Sequence, residues 1–497
     1  MTSTILVRSE TTEVPFAAPF EAFLKLRHTF GADSVYLLES LSGPARDMKS
    51  SLIGFGPLLR VVVNGLSVRL EGRHELVQRS QAALHASRLG ASDGSSFRMR
   101  SEADLWDVLR EIQGLFSVPD ADAGCFRLGF FGYLGYDVVR AIEHLPAERL
   151  PGDETPMLVF TVFQGLLAFD VGGGGSTKIV INHSWAWGPI SASGIVQVLA
   201  GPPEEAPSTC DVPAPRSVRD TITRETYLRK VERCLAYIAA GDIYQVQIGH
   251  ELDVVSDADP LAVYQRLRSR NPSPYMYFAP FGDVTLVGAS PESFIRIENG
   301  NICMRPIAGT VRRGATEEED AVLVSGLRED EKERAEHIML VDLCRNDIGR
   351  VCVPGSLRVD ELMVVERYSH VSHLVSNVSA KMRRGVDVYD AIAATFAAGT
   401  MTGAPKVRAM EIIAELETTQ RGIYAGAVGL IDFGGYVNLA LCIRSASCSR
   451  GHYHLRASAG VVADSLAENE WRETLKKMGA VFWAVTGEEL ANEGLAN

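Results

Sequence analysis

The sequence lacks the signatures of several large protein classes. Its 497 residues include only eight cysteines, and none of them forms a Cys-x-x-Cys pair. This argues against a disulfide framework or a thiolate metal site and favours reduced thiols. No apolar run reaches the roughly 18 residues that a membrane helix needs, and the N-terminus has no secretory signal pattern. We therefore expect a cytoplasmic protein with no membrane association.

Positive charge is also scarce. The chain carries 49 Lys and Arg against 62 Asp and Glu, a net charge of −13, without a dense basic block. Nucleic acid is therefore excluded as the main partner. A small anionic substrate remains compatible, because a local basic pocket can sit on an acidic protein.

Neither a 20–50-residue repeat nor a regular alternation of strands and helices is present, so we predict an α+β fold with mostly antiparallel sheets. We divide the chain into an N-terminal region (15–200), a Pro-rich linker (201–220) and a third region (221–485). The N-terminal region contains a short helical stretch (20–26) and the strand-like runs SVYLLES and RVVVNGLSVRLEG. Its VGGGGST segment is either a flexible linker or a hairpin turn.

The third region has clearer local patterns. TYLRKVERCLAYIAAGD predicts a helix that ends at Gly241. IYQVQIGHEL alternates, with Tyr244, Val246 and Ile248 on one face and Gln245 and Gln247 on the other, and predicts a strand. SFIRIENGNICMRP predicts a hairpin with its turn at Asn-Gly.

One predicted helix, AEHIMLVDLCRNDIGR (335–350), places a carboxylate on an apolar stripe. Glu336 shares that stripe with Met339, Leu340, Leu343 and Cys344, at positions that normally face a core. A buried carboxylate needs a partner because an unpaired buried charge is very unfavourable.

A second helix near the C-terminus has the same arrangement. In DSLAENEWRETLKKMGAVFWAV, Glu470, Glu473 and Lys477 lie beside an apolar stripe that contains Trp471 and Met478. Two such helices could converge on Mg²⁺, which takes oxygen ligands and usually only one or two protein carboxylates. An ordinary i, i+4 ion pair between Glu473 and Lys477 is the alternative.

Several turns could bind a carboxylate ligand. RPIAGTVRRG (305–314), AAGTMTGAPK (397–406) and RASAGVVADS (456–465) combine glycines, hydroxyls and nearby cations. None matches a Walker A or a Gly-x-Gly-x-x-Gly motif, and each could simply be a tight turn. His373, in YSHVSHLVSNV, and Glu292, in VGASPESF, are further candidates, because a histidine titrates near neutral pH and a carboxyl with a raised pKa can serve as a general acid.

Together these segments resemble the chorismate-utilising enzymes, and most closely the large subunits of anthranilate synthase. The similarity rests on GDIYQVQI, VGASPESF, RPIAGT, DEKERAEHIMLVDLCRNDIGR, YSHVSHL, AAGTMTGAPKVRAMEII, RGIYAGAVG, CIRSA and VVADS with ENEWRET, which follow the order and spacing of that family. It covers about residues 225–482 strongly. The resemblance implies two large, mostly antiparallel β-sheets packed as a sandwich with helices outside.

The resemblance also implies a reaction. Ammonia adds to C2 of chorismate as the C4 hydroxyl leaves, and the resulting 2-amino-2-deoxyisochorismate loses pyruvate to give anthranilate, the first committed step of tryptophan biosynthesis. By motif match, the implied catalytic residues are Glu292 as general acid, His373, Gln245 and Thr400. The implied substrate-binding residues are Tyr424, Arg444, Ala459, Gly460, Lys477, Ala308, Gly309 and Thr310. The implied Mg²⁺ ligands are Glu336, Glu473 and Glu470.

Two positions separate the related activities within the resemblance. Isochorismate and salicylate synthases carry a water-activating Lys where this chain has Gln245, and a neutral amide cannot act as a base. The aminodeoxychorismate synthases of 4-aminobenzoate formation use a Lys where this chain has Ala308. Ammonia is therefore the expected nucleophile, delivered either from solution or by a separate glutamine amidotransferase subunit in a hetero-oligomer.

The N-terminal region resembles the family's site for feedback inhibition by L-tryptophan. The implied residues are Glu39, Ser40, Lys49, Asn271, Pro272, Tyr275, Met276 and Cys448. This chain departs from the family around Lys49 and at Ser458, where a glycine is usual. Two alternatives stay open: an enzyme that stops at 2-amino-2-deoxyisochorismate, in secondary metabolism, and a tryptophan-binding protein without catalysis.

Overall fold

A computed structural model describes residues 4–15, 18–43, 50–93, 96–119, 123–145, 155–170, 176–368 and 371–491. The strands are β1 Ile5–Leu6, β2 Arg8–Val14, β3 Val35–Glu39, β4 Ser50–Asn64, β5 Ser67–Gly72, β6 Gly90–Asp93, β7 Ser96–Met99, β8 Phe116–Ser117, β9 Gly129–Leu134, β10 Leu158–Asp170, β11 Thr177–His183, β12 Ser217–Asp220, β13 Gln245–Val255, β14 Tyr275–Pro280, β15 Thr285–Ser290, β16 Ser293–Glu298, β17 Asn301–Met304, β18 Ile307–Arg312, β19 Arg358–Arg367, β20 Val371–Lys381, β21 Gly403–Ala404, β22 Ala427–Asp432, β23 Val437–Leu441, β24 Ser445–Ser449 and β25 His452–Val461. The α-helices are α1 Pro19–Phe30, α2 His74–Ser87, α3 Leu105–Gln113, α4 Ala192–Ala200, α5 Arg224–Ala239, α6 Pro260–Arg270, α7 Glu317–Glu329, α8 Glu331–Gly349, α9 Val388–Thr395, α10 Gly399–Thr402, α11 Lys406–Leu416 and α12 Ala467–Thr486.

Antiparallel pairing joins most strands into one continuous ladder. Its order is β12–β13–β25–β24–β15–β14–β3–β4–β10–β9–β22–β23–β16–β17–β20–β19. Only the short β1–β8 pair is parallel among the described strands. The predicted α+β class with mostly antiparallel sheets is confirmed.

The apolar residues form two cores. The larger core includes the buried faces of the helices, such as Phe23 of α1 and Trp471 of α12. The smaller core draws on strand residues and the turns beside them, among them Tyr36, Phe131 and Tyr277. Because successive strand residues point to opposite faces, one face of the ladder packs on helices while the other packs on itself, which is the predicted sandwich.

Several local predictions are confirmed. Helix α5 ends just before Gly241, which has a left-handed φ of +81°. Strands β16 and β17 form a hairpin whose turn residues, Asn299 and Gly300, have φ values of 52° and 72°. Both values are positive, as a two-residue type I′ turn requires. Residues 171–175 of VGGGGST lie outside the described residues, and β10 and β11 pair antiparallel across them.

The N-terminal and C-terminal regions share the ladder. Strand β9 pairs with β22, and β3 pairs with β14. Between α4 and β12, the predicted linker residues contain no helix or strand. The proposed boundaries at 200 and 220 remain a prediction, but the two regions are joined by backbone hydrogen bonds as well as by the chain.

No disulfide joins any of the eight cysteines among the described residues, and Cys125 and Cys210 are exposed while most of the others are buried. No helix among the described residues is long and apolar enough to cross a membrane.

Candidate active site

A cavity of about 720 Å³ lies where the two ends of the strand ladder face each other. Strands β13 and β25 form one wall, β18 and β20 form another, and helices α8 and α12 flank them. The volume falls within the usual range for small-molecule sites. Fourteen predicted site residues line this cavity: Gln245, Glu292, Ala308, Gly309, Thr310, Glu336, His373, Thr400, Tyr424, Arg444, Gly460, Glu470, Glu473 and Lys477.

Glu292 is a buried carboxyl in the short connection between β15 and β16. Its carbonyl oxygen accepts a hydrogen bond from the backbone N–H of Leu441, which fixes the connection against the end of β23. Burial raises the pKa of Glu292 to about 8, although Thr400, Arg444 and Lys477 lower it. The carboxyl is therefore mostly protonated at neutral pH and can donate a proton inside the cavity.

Four carboxylates face the cavity from the two acidic helices. Glu333 and Glu336 lie one turn apart on α8, and Glu470 and Glu473 lie one turn apart on α12. Burial, then neighbouring carboxylates, raise the pKa of Glu336, and burial also raises the pKa of Glu333 and Glu470. The cavity therefore holds negative charge that a cation would compensate.

Glu473 is the exception within this set. Burial opposes its ionisation, but Lys477 and Arg444 outweigh that effect and lower its pKa. Its carboxylate forms a 2.5 Å ion pair with Lys477, the i, i+4 pair expected as the alternative to a metal. About half of the Glu473 side chain is exposed, at 48%, so a carboxylate oxygen stays accessible from the cavity.

The donor set fits Mg²⁺ with few protein ligands. No group of three or more His, Cys, Asp or Glu side chains is spaced to hold a metal in the described part of the chain. Glu336 and Glu473 nevertheless face the same cavity from different helices, and the charge of Glu473 contributes, after burial and Glu333, to the raised pKa of Glu336. Mg²⁺ commonly takes one or two carboxylates and completes its shell with water or substrate oxygens.

The part of the cavity next to Glu473 and Lys477 is suited to a carboxylate. Tyr424 is buried, and its phenol oxygen accepts the backbone N–H of Ser458 at 2.8 Å, which leaves its own proton free to donate. Arg444 adopts a left-handed φ of 52° in the connection between β23 and β24. Such a φ is uncommon for a non-glycine residue and typical of functional sites. Lys477 donates to the carbonyl of Ser458 at 2.9 Å.

A fully buried charged cluster supports Tyr424 from behind. Both carboxylate oxygens of Glu417 accept hydrogen bonds from Arg421, and Arg456 donates a third at 2.7 Å. Burial raises the pKa of Glu417, but the two guanidinium charges outweigh it and lower the pKa overall. The Arg421 guanidinium lies 5.9 Å from the centre of the Tyr424 ring, within cation–π distance. The cluster therefore packs against the phenol.

The Nδ1 of His373 has two hydrogen-bond partners. It lies 3.1 Å from the carbonyl oxygen of Gly309, which can only accept, and 3.0 Å from the hydroxyl of Thr310, which can donate or accept. Burial and the charge of Arg444 lower the pKa of His373, despite the bond to Gly309. A neutral imidazole has one unprotonated nitrogen and can act as a base.

Gln245 connects strand β13 with helix α8. Its side-chain N–H donates to Glu336 at 2.8 Å. Its carbonyl oxygen is buried and has no partner among the described residues. A buried acceptor of this kind is a ready site for a ligand that donates a hydrogen bond.

Comparison with known proteins shows the family of this chain. The family model described as chorismate binding enzyme matches residues 71–482. This chain belongs to the chorismate binding enzyme family. It is therefore an enzyme that acts on chorismate, as the motifs predicted.

Individual members of this family match over nearly the whole chain. A 2-amino-4-deoxychorismate synthase from Streptomyces globisporus is 48% identical and is covered over 98% of both chains. Anthranilate synthase component 1 from Pseudomonas putida is 38% identical over 95% of this chain and 94% of its own.

Two solved structures support the chorismate binding fold. Anthranilate synthase component I from Streptococcus pneumoniae TIGR4 superposes with a TM-score of 0.70 at 30% identity, over 87% of this chain and 92% of its own. The menaquinone-specific isochorismate synthase from Escherichia coli gives a TM-score of 0.65 at 16% identity, over 97% and 95% of the two chains. The second likeness concerns the fold alone.

The side chain of one predicted substrate-binding residue lies away from the cavity. Ala459 is fully buried and is not among the residues that line the cavity, so the predicted contact by its backbone stays a prediction. Strand alternation explains this, because Ser458 and Gly460 face the cavity from β25 while Ala459 points to the opposite face.

The sequence-based prediction missed Glu333 and the cationic rim formed by Lys332, Arg472 and Lys476. Glu333 precedes Glu336 by three residues, so helical spacing could have identified it. The rim residues carry no such signal, because exposed cations on helices usually only contact solvent.

Only some of the residues predicted to form the tryptophan site line a common cavity. Glu39, Ser40, Tyr275 and Met276 line a separate cavity of about 70 Å³. Asn271, Pro272 and Cys448 do not line it, and Lys49 lies outside the described residues. The Glu39 carboxylate is already bound by the Tyr264 hydroxyl at 2.6 Å and by Arg268 through both oxygens.

Proposed function

We propose that this enzyme aminates chorismate at C2, with loss of the C4 hydroxyl, and releases 2-amino-2-deoxyisochorismate. The observation that carries this proposal is the buried carboxyl of Glu292, whose pKa is raised by burial, in one cavity with the four carboxylates and with Arg444 and Lys477. A proton donor is needed where hydroxide must leave, and the cations suit a substrate with two carboxylates. In the balanced step, chorismate and ammonia give the aminated product and water.

Glu292 supplies the proton in this mechanism. Hydroxide is a poor leaving group, so the C4–O bond breaks as the carboxyl protonates the oxygen and water departs. The burial that raises its pKa keeps the proton in place until the substrate arrives. Thr400, beside the carboxyl, orients it.

Gln245 holds the nucleophile. Its unpartnered carbonyl oxygen accepts an N–H of ammonia, and its own N–H stays on Glu336. The nitrogen lone pair is then free to attack C2. Because ammonia at neutral pH is mostly ammonium, the proposal includes a separate glutamine amidotransferase subunit that delivers it.

Magnesium completes the proposed site. Glu336 and Glu473 would hold the ion, with Glu333 and Glu470 adding charge close by. When bound there, Mg²⁺ would supply positive charge to compensate a substrate carboxylate. Arg444 and Tyr424 hold the carboxylate of the enolpyruvyl side chain, Arg444 through its planar fork of donors.

The identity of the released product draws support from two observations. The name of the Streptomyces globisporus relative, 2-amino-4-deoxychorismate synthase, describes a chorismate with an amino group at C2 and no hydroxyl at C4. That compound is 2-amino-2-deoxyisochorismate. Ala308 cannot supply the lysine amine of 4-aminobenzoate chemistry, which also favours amination at C2.

A second function is favoured by His373. Its ring lines the cavity, and as a neutral base it can remove the proton from C2 as the enolpyruvyl oxygen leaves C3, which gives anthranilate and pyruvate. The similarity to anthranilate synthase components at 36–38% identity points the same way. In that case the enzyme serves tryptophan biosynthesis or anthranilate supply.

One assay separates these functions. Purified enzyme is incubated with chorismate, Mg²⁺ and ammonium at mildly alkaline pH. Anthranilate fluorescence, pyruvate and the aminated product are each followed over time. We expect an amino compound that retains the enolpyruvyl group, with little pyruvate. Stoichiometric anthranilate and pyruvate would instead establish the second function, and absence of any aminated product would overturn both.

A further inference from the structure

Ser458 carries one of the buried polar side-chain atoms of the cavity that lack a partner. The residue is 1% exposed, and its hydroxyl has no hydrogen-bond partner in the described ranges. Buried hydroxyls in proteins are nearly always hydrogen-bonded, so one without a partner beside a ligand cavity indicates a contact that forms with the ligand.

The fold makes room for this hydroxyl. Ser458 pairs directly with Gly249 across the β13–β25 ladder. A Cβ at position 249 would collide with the Ser458 hydroxyl and with the Ala457 carbonyl. The glycine therefore lets a side chain at 458 sit on the cavity face of the sheet, level with Gln247 and Gly460.

The backbone of Ser458 places the hydroxyl at the carboxylate end of the cavity. Its N–H donates to the Tyr424 phenol, and its carbonyl accepts from Lys477. Both partners are cavity residues that suit an anionic group. Ser458 lines the cavity together with Tyr424 and Lys477, so its hydroxyl lies in the part of the cavity where those two residues would bind an anionic group.

We propose that Ser458 is a specificity-determining residue whose hydroxyl donates to the enolpyruvyl carboxylate and retains that side chain on the aminated product. This inference rests on the proposed function. Loss of pyruvate breaks the C3–O bond and moves the side chain away from the ring. The hydrogen bond from Ser458 stabilises the bound aminated compound and is lost in the transition state for pyruvate loss. It therefore slows the elimination of pyruvate without affecting the amination step.

The test compares Ser458→Ala and Ser458→Gly with the wild type. Removing one hydrogen bond to a charged group should weaken chorismate binding about tenfold and raise the ratio of anthranilate to aminated product by a similar factor. Ser447→Ala is the control, because Ser447 is buried on the neighbouring β24 and does not line this cavity. Thermal melting verifies that each variant is folded.

Two readouts keep the outcomes distinct. Chorismate affinity, measured by titration without ammonia, tests the Ser458 contact even if the wild type makes only anthranilate and the proposed function fails. Unchanged affinity and an unchanged product ratio in both folded variants would overturn the assignment. Weaker affinity together with more pyruvate per amination, while Ser447→Ala matches the wild type, would support it.

Discussion

Replacing Glu292 with glutamine should inactivate the enzyme and stabilise its fold. The carboxyl has a pKa of about 8 instead of 4.5 because it is buried. At pH 7 roughly ten molecules carry the proton for each one that has lost it. Glutamine keeps the shape and the hydrogen bonds but has no proton to give, so we expect kcat to fall by about 10² to 10⁴.

The stability effect has a defined sign and pH window. The unfolded carboxyl ionises above pH 4.5, whereas the folded one keeps its proton until about pH 8. Folding stability from this group is therefore fully present below pH 4.5 and is lost as pH rises toward 8. At pH 7 the loss is about 3 kcal/mol, which Glu292→Gln should recover.

Urea unfolding of the wild type and Glu292→Gln at pH 5.5, 6.5 and 7.5 measures this directly. The advantage of the variant should grow by about 1.4 kcal/mol per pH unit. Glu232→Gln, at an exposed site on α5, is the control and should show no such trend. If the advantage of Glu292→Gln is the same at all three pH values, the carboxyl is not held protonated by burial and its role as the acid is refuted.

Three further predictions address other parts of the molecule. Glu336→Gln should raise the Mg²⁺ concentration for half-maximal rate at least about tenfold, whereas Glu329→Gln on the neighbouring helix should leave it unchanged. Lys406→Met should destabilise the fold by about 3–5 kcal/mol in urea, because it leaves the carboxylate of Asp347 buried without its 2.5 Å partner, and adding Asp347→Asn should restore much of the loss. Excess L-tryptophan should inhibit the enzyme poorly, because the cavity beside Glu39 is far smaller than typical ligand sites and the Glu39 carboxylate is already bound by Tyr264 and Arg268. Strong inhibition when the rate is titrated with tryptophan would contradict this prediction.

The two acidic helices, α8 and α12, could be predicted because their residue pattern is local. The spacing of Glu336 and its apolar neighbours predicted an inward face, and in the structure Leu340 and Cys344 are buried while Glu336 reaches the cavity. The Asn299-Gly300 hairpin could be predicted equally well, since its turn conformation depends on two adjacent residues. Motif order then identified most of the cavity residues.

Long-range pairings could not be derived in the same way. The partner of Glu39 is Arg268, which lies 229 positions along the chain, and no local pattern connects them. The pairing of Gly249 with Ser458 depends on the register of two strands that are distant in sequence. A shift of one residue would turn every side chain to the other face, and Ala459 shows how one position decides whether a residue reaches the cavity.

The seam between β9 and β22 has a consequence for how the chain can be divided. Six residue pairs, from Ala427 with Leu134 to Asp432 with Gly129, hold the two regions together, and β3 adds a second seam with β14. The connecting segment before β12 contributes no strand to either seam. Cleavage of the chain in this segment would leave both seams intact, whereas either half made alone would expose an unpaired strand edge prone to aggregation. The enzyme is thus a natural candidate for split-protein reconstitution, with activity returning only when both halves are made together.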